Sequence, residues 1–215
     1  MVRNQPYEDR ADAGRQVAIE LAVHDRDLGD DPAVLALPRG GVPVAVPVAE
    51  ALGVRVAVLL VRKLGAPHQP ELAVGAIAAI GDHVVRVVND DVVRLTGLTA
   101  DRLDAITAVE TAELEARVAM YGSAPTVADR TVVVVDDGLA TGATMRAAVT
   151  AVREAGAAFV VVAVPVGAIG ACHDLERLAD LLVCPRRPNP FRAVGEQYRD
   201  FSQVSDEQVL ALLGR

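Results

Sequence analysis

Short runs of consecutive apolar residues are spaced along the chain and separated by longer stretches of mixed polarity. The clearest run, Thr131–Val135, contains four valines in succession. Strands that read as continuous apolar runs are typical of parallel sheets buried on both faces. The runs that predict such strands are Ala33–Leu37, Val54–Val61, Thr131–Val135, Phe159–Val164 and Leu181–Val183.

Helices are predicted between these strands, because the intervening segments repeat their apolar residues at helical spacing. Ser205 followed by Gln208 forms the sequence signature of a capping box. The predicted helices are Asp9–Asp27, the segment after Pro38-Arg39-Gly40-Gly41 up to Leu52, Thr99–Tyr121, Ala143–Ala155, Ala171–Leu178 and Ser205–Leu213. Strands alternating with helices predict an α/β fold with a mostly parallel sheet flanked by helices.

Two further strands, Leu72–Ile80 and Val84–Val88, are predicted on either side of a Gly81-Asp82 turn. The segment Gly65–Glu71 before them is predicted to be a polar loop. Ligands of parallel sheets bind beyond the carboxyl ends of the strands. The loops where a site is expected are therefore Pro38–Gly41, Arg62–Glu71 and Asp136–Thr144.

Length and composition narrow the class of protein. The 215 residues, 52% of them hydrophobic, suit one folded domain, and the net charge of −8 disfavours nucleic acid binding. No apolar run reaches the roughly 18 residues of a membrane span, and Met1–Arg15 is too polar for a secretory signal. Cys172 and Cys184 have no metal-ligand spacing and are expected to be buried reduced thiols. We therefore expect a cytoplasmic protein.

One basic residue differs from all the others. Of the 21 basic residues, 20 are Arg and only Lys63 is a lysine. The compact ammonium of lysine differs chemically from the planar guanidinium fork. Lys63 is therefore a candidate site residue.

The segment Val132–Thr144 carries the strongest chemical signal. An apolar strand ends in Asp136 and Asp137, and a loop with Gly138 and Gly142 then leads into a helix. Glycines permit close backbone approach to a ligand, and free N–H groups at a helix start bind anions. Carboxylates beside such an anion site suit ribose hydroxyls or a hard cation such as Mg²⁺. The combination predicts a sugar phosphate ligand.

This stretch closely resembles the 5-phosphoribosyl-1-pyrophosphate (PRPP) motif of type I phosphoribosyltransferases. The resemblance implies that Asp136 and Asp137 hold the ribose hydroxyls, with Asp137 among the catalytic residues, and that the pair contacts Mg²⁺ directly or indirectly. It also implies that the following loop wraps the 5-phosphate. The residues carried over to the loop are Gly138, Ala140, Thr141, Gly142, Ala143 and Thr144.

Two other loops gain meaning from the same resemblance. Pro38-Arg39-Gly40-Gly41 lies where the family places its pyrophosphate loop, which implies that Arg39, Gly40 and Gly41 bind the leaving group. The segment beginning Arg62-Lys63 resembles the start of a mobile loop that closes over the site in some members. Arg62 and Lys63 would then neutralise pyrophosphate, and His68 would enter the closed site as a catalytic residue.

The C-terminal part resembles the base-binding hood of the hypoxanthine–guanine enzymes more loosely. Phe191 or Tyr198 would stack on the base, but the register departs by one residue and Glu196 stands where an aromatic is expected. This departure leaves the acceptor base open. The sequence predicts a core domain over residues 1–184, with Thr99–Tyr121 as a helical insertion, and a hood with a final helix over 185–215.

The resemblance implies a Mg²⁺-dependent transferase that moves 5-phosphoribosyl from PRPP to a nitrogen acceptor, a nucleobase, and releases pyrophosphate. The expected state is a homodimer, and the expected pathway is nucleotide metabolism. The alternative is a regulator of the same fold that senses PRPP without transferring it. The segment before Ala33 is too short for a winged-helix domain, and the net charge also disfavours this alternative.

Overall fold

A computed structural model describes residues 5–24, 26–67 and 69–215. Its main sheet has five parallel strands, in the order β2-β1-β6-β7-β8. The strands are β1 (Ala33–Ala36), β2 (Val56–Val58), β6 (Thr131–Val135), β7 (Phe159–Ala163) and β8 (Leu181–Val183). The parallel sheet that the apolar runs predicted is confirmed.

Both faces of this sheet are buried, as continuous apolar runs require. Along β1, Val34 and Ala36 face one hydrophobic cluster, whereas Ala33 and Leu35 face another. The first cluster is covered by α1 (Arg10–Val23), α2 (Gly41–Leu52), α4 (Ala100–Tyr121) and α7 (Asp206–Leu212), and the second by α5 (Ala143–Glu154) and α6 (Ile169–Glu176). Among the described residues, no helix is both long and apolar enough to cross a membrane.

The segment from Val54 to Ile80 differs from the prediction. The predicted strand Val54–Val61 is divided between two sheets: the Leu59 amide donates to Ala36 of the main sheet, and the Leu60 carbonyl accepts from Ala79. A second sheet of antiparallel strands follows, with β3 (Val61–Ala66), β4 (Gln69–Ile80) and β5 (His83–Val88). In the predicted polar loop Gly65–Glu71, the described residues on either side of position 68 instead lie at the end of a hairpin, and register shifts around Gly65 accommodate them in the ladder.

The long helix α4 packs against β3 and β4 of the second sheet. It begins at the predicted N-cap, where the Thr99 hydroxyl accepts from the Arg102 amide. A shorter helix that the sequence did not predict, α3 (Asp90–Thr96), links β5 to it. The predicted helical insertion therefore packs on this second sheet, called the hairpin sheet below, close to β3, the strand that carries Lys63.

The chain's tail packs back onto its beginning. Tyr7 pairs with Tyr198 in an isolated bridge, and a 3₁₀ helix (Val194–Gln197) precedes this contact. The final helix α7 begins at Ser205, and the predicted capping box with Gln208 is confirmed. The division at residue 184 stays a prediction.

Candidate functional site

The carboxyl ends of two neighbouring strands bring two of the predicted loops together. Because β1 pairs directly with β6, the loop Pro38–Gly41 lies beside Asp136 and Asp137. An ideal Cβ on Gly40 would lie 2.0 Å from Asp137 Oδ2, and one on Gly41 would lie 2.6 Å from the Val135 carbonyl oxygen. A side chain at Gly41 would meet the β6 backbone, and one at Gly40 would displace the Asp137 carboxylate, so glycine at both positions permits this close approach.

The two carboxylates lie side by side in a largely desolvated position. Asp136 Oδ1 accepts a hydrogen bond of 2.8 Å from the Asp137 backbone amide. Burial, and then the adjacent Asp137 charge, raise the pKa of Asp136 to about 8. Burial also raises the pKa of Asp137, and this effect is opposed by the Arg10 guanidinium. Such a pair favours a bound cation or hydroxyl donors over an empty site.

Arg10, at the start of α1, contacts the acid pair and was not predicted from the sequence. Its Nε donates to Asp137 Oδ2 at 2.9 Å, and the two side chains are only 11% and 17% exposed. Its Nη1 donates to the Ser202 carbonyl at 2.8 Å, and its guanidinium lies 4.0 Å from the centre of the Phe201 ring. No local motif marks this residue, which lies 127 positions from its partner.

The loop after the acid pair is anchored by backbone hydrogen bonds at Leu139, and the residues that follow are mostly exposed to solvent. Leu139 and Ala168 anchor it, because the Leu139 amide donates to Val166 at 2.9 Å and the Ala168 amide donates to Leu139 at 2.9 Å. Gly142 is the N-cap of α5 and adopts a φ of +70°, which favours glycine. Its neighbours Thr141, Ala143 and Thr144 border this helix start, and Ala140, Thr141, Ala143 and Thr144 are exposed. The loop therefore ends in an exposed helix start with threonine hydroxyls, where the Thr141 hydroxyl accepts from the Ala143 amide at 3.4 Å, and such helix starts bind phosphate.

A polar cavity of about 460 Å³ opens beside Arg39. Arg39 Nη1 lies 3.4 Å from Asp206 Oδ1 at the start of α7, and the Tyr121 hydroxyl donates to the same oxygen. Arg117 of α4 lines the cavity as a second cation. Burial, and then the hydrogen bond with Asp206, raise the pKa of Tyr121 to about 12. No signal in the sequence places Arg117 or Asp206 beside Arg39.

Arg62 and Lys63 face opposite sides of β3, as adjacent strand residues must. Arg62 forms a two-pronged ion pair with Glu110 of α4, at 2.8 Å and 2.7 Å. Lys63 lines a cavity of about 810 Å³ together with Ala143 and Arg146 of α5. Of the two predicted cations, only Lys63 therefore borders the helix that follows the phosphate loop. His68 lies outside the described residues.

The aromatic residues of the tail form a cluster beside the acid pair. Tyr198 is buried, and its hydroxyl donates to the Asp137 carbonyl at 2.6 Å. Its ring centre lies 5.5 Å from that of Tyr7 and 5.0 Å from that of Phe201. Phe191, which with Tyr198 was one of the two predicted stacking residues, packs against this cluster and remains half-buried. The fold thus brings Tyr198 and Phe201 to the acid pair.

Comparison with known proteins identifies the class that this fold and site define. The family model of the phosphoribosyl transferase domain matches residues 9–177. The chain belongs to this family, and the predicted type I phosphoribosyltransferase fold is confirmed.

Individual relatives agree with this assignment. A Mycobacterium tuberculosis (strain CDC 1551 / Oshkosh) protein that is provisionally named a phosphoribosyl transferase is 47% identical over 212 residues, which cover 97% of this chain and 46% of the relative. The chain thus spans about half the length of the curated relatives it matches. The crystal structure of TT1426 from Thermus thermophilus superimposes with a TM-score of 0.85 at 40% identity, covering 97% of this chain and 98% of that one.

Proposed function

We propose that the protein transfers the 5-phosphoribosyl group of PRPP to a nitrogen acceptor, a nucleobase, and releases pyrophosphate. The observation that carries this proposal is the pairing of Asp136 and Asp137 with an exposed, glycine-capped loop immediately after them. The carboxylates suit the ribose 2′- and 3′-hydroxyls, and the loop suits the 5-phosphate. Membership of the phosphoribosyl transferase family supports the same reaction class.

The pyrophosphate of PRPP is proposed to bind on the side of Arg39. Arg39 and Arg117 line one polar cavity there, and Gly40 lets the backbone of the same loop lie against Asp137. Lys63 lines the other cavity, the one of about 810 Å³ that Ala143 also borders, and is proposed to approach the pyrophosphate from that side. Cations around the leaving group stabilise the negative charge that it gains as the bond to ribose C1 breaks.

The acid pair also fits a magnesium ion that arrives with the substrate. Within the described parts of the chain, no group of three or more His, Cys, Asp or Glu side chains could hold a metal. Asp136 and Asp137 offer two carboxylates, and Mg²⁺ is commonly held by one or two carboxylates plus substrate phosphates and water. When bound, Mg²⁺ would neutralise charge on pyrophosphate and so improve the leaving group. The carboxylates would contact it directly or through water.

Catalysis in this proposal is positioning and charge stabilisation, without a protein nucleophile. Asp136 and Asp137 hold the ribose ring while the loop from Gly138 to Thr144 holds its phosphate. The C1 centre becomes positively charged as pyrophosphate departs, and the acceptor nitrogen then forms the new bond. The tail aromatics Tyr198 and Phe201, which lie beside Asp137, are proposed to shield this centre from water.

The test is pyrophosphate release from PRPP in the presence of Mg²⁺ and single nucleobases. We expect release only when PRPP, Mg²⁺ and one accepted base are all present. The double substitution Asp136→Asn with Asp137→Asn should abolish PRPP binding in calorimetry while unfolding stays cooperative. Asp82→Asn, in an exposed turn, is the matched control. PRPP binding without release for any base would contradict transfer and favour the sensing role.

A further inference from the structure

Each carboxylate of the acid pair has one oxygen engaged by the protein. Asp136 Oδ1 accepts from the Asp137 amide at 2.8 Å, and Asp137 Oδ2 accepts from Arg10 Nε at 2.9 Å. Among the described residues, the other two oxygens, Asp136 Oδ2 and Asp137 Oδ1, accept no hydrogen bond from another residue. No fully buried side-chain oxygen of the described chain lacks a partner, so each of these oxygens keeps some contact with solvent.

Two solvent-accessible acceptor oxygens on adjacent residues match a pair of neighbouring hydroxyl donors. A hydroxyl donates one hydrogen to a carboxyl oxygen, and where that carboxyl is ionised the bond is charge-assisted. Which oxygen of Asp137 remains available depends on what holds the other. Gly40 limits the room on the Oδ2 side, and Arg10 fixes that oxygen by its hydrogen bond.

Arg10 is itself held rigidly enough to act in this way. Its guanidinium donates to the Ser202 carbonyl at 2.8 Å as well as to Asp137, and it stacks on the Phe201 ring at 4.0 Å. The side chain is only 11% exposed. Its contacts therefore join the first helix, the tail and the end of β6, three segments far apart in sequence.

We propose that Arg10 is a positioning residue of the ribose site: it holds Asp137 Oδ2, which leaves Asp137 Oδ1 and Asp136 Oδ2 to receive the vicinal hydroxyls of the sugar. This inference rests on the proposed function, because it assigns the ligand of the acid pair to a ribose 5-phosphate unit. Arg10 contacts no reacting atom in this scheme. Its effect falls on the affinity for ligands that carry these hydroxyls and is largest where both are present.

The experiment measures the affinity of the full chain for ribose 5-phosphate, 2-deoxyribose 5-phosphate and pyrophosphate by calorimetry. Arg10→Ala should weaken ribose 5-phosphate binding tenfold or more. The deoxy sugar, which lacks one hydroxyl, should lose clearly less, and pyrophosphate affinity should change by less than about twofold. Arg10→Lys keeps the charge beside Asp137 and should recover part of the loss. Arg15→Ala is the matched control on the same helix, since Arg15 is exposed.

The pattern across ligands separates positioning from folding. Equal loss for all three ligands, or no loss for ribose 5-phosphate, would overturn the inference. If Arg10→Ala does not fold, Arg10→Gln, which removes the charge but keeps a donor, is measured in its place with the same expectation. A wild-type protein that binds neither PRPP nor ribose 5-phosphate would refute the proposed function as well, whereas wild-type binding with an unaffected Arg10→Ala variant would refute only the role of Arg10.

Discussion

Replacing Asp136 by Asn is expected to stabilise the ligand-free protein at neutral to alkaline pH. Burial and the Asp137 charge raise the pKa of Asp136 from 3.8 to about 8. The folded chain therefore keeps a proton that the unfolded chain releases between about pH 4 and pH 8. The stability that depends on this proton is fully present below the unfolded pKa and is lost as the pH rises through the folded pKa. Asn cannot ionise, so the variant escapes this loss.

The magnitude follows from the size of the pKa shift. One pKa unit corresponds to about 1.4 kcal/mol, and a shift of about four units sets an upper limit of several kcal/mol. The Asp136 side chain keeps some contact with solvent, which reduces this figure. We expect the unfolding free energy of the variant to rise by about 2 kcal/mol relative to wild type between pH 5 and pH 8. This corresponds to an effective pKa shift on the order of one or two units.

The assay is urea unfolding of wild type, Asp136→Asn and the control Asp82→Asn at several pH values without ligand. The difference in unfolding free energy between Asp136→Asn and wild type should grow steadily from pH 5 to pH 8, while the Asp82→Asn difference stays flat. The same Asp136→Asn variant should bind PRPP poorly. A difference that is independent of pH would refute the reasoning about burial at the acid pair.

Three further predictions test the surroundings of this pair. Lys63→Arg keeps the charge but not the shape, and steady-state kinetics should show turnover lowered about tenfold, or about 1.4 kcal/mol; wild-type kinetics would contradict a specific role. Gly40→Ala places a methyl group where Asp137 Oδ2 lies, so calorimetry should show PRPP binding lost, and unchanged affinity would argue against this close approach. Arg117→Ala should weaken pyrophosphate binding about tenfold. Asp206→Asn removes the charged partner of Arg39 and should strengthen pyrophosphate binding. Tighter binding by the first variant and weaker binding by the second would exclude this cavity as the pyrophosphate site.

The local backbone of the candidate site could be predicted from the sequence because its parts are contiguous, whereas the binding roles of its residues stay a prediction. Asp136, Asp137 and the glycine-capped loop lie on one strand, turn and helix, and local backbone rules specify their arrangement. The parallel sheet could also be predicted from the sequence, because the apolar runs of β1 and β6 lack the alternation of apolar and polar residues that marks a half-exposed strand. The capping box of α7 is likewise a signal within four residues.

The second sheet and the charged partners of the site were decided only by tertiary structure. The pattern of apolar residues shows that a segment is extended but does not determine which strand it pairs with. Val54–Val61 was therefore predicted as one strand, although the chain passes from one sheet to the other at Leu59 and Leu60. The opposite orientations of Arg62 and Lys63 follow from strand alternation once β3 is known. Arg10 reaches Asp137 across 127 positions, through packing of the first helix against the tail. Such contacts arise because the compact fold minimises exposed apolar surface over the whole chain, and no local pattern encodes which distant side chains this brings together.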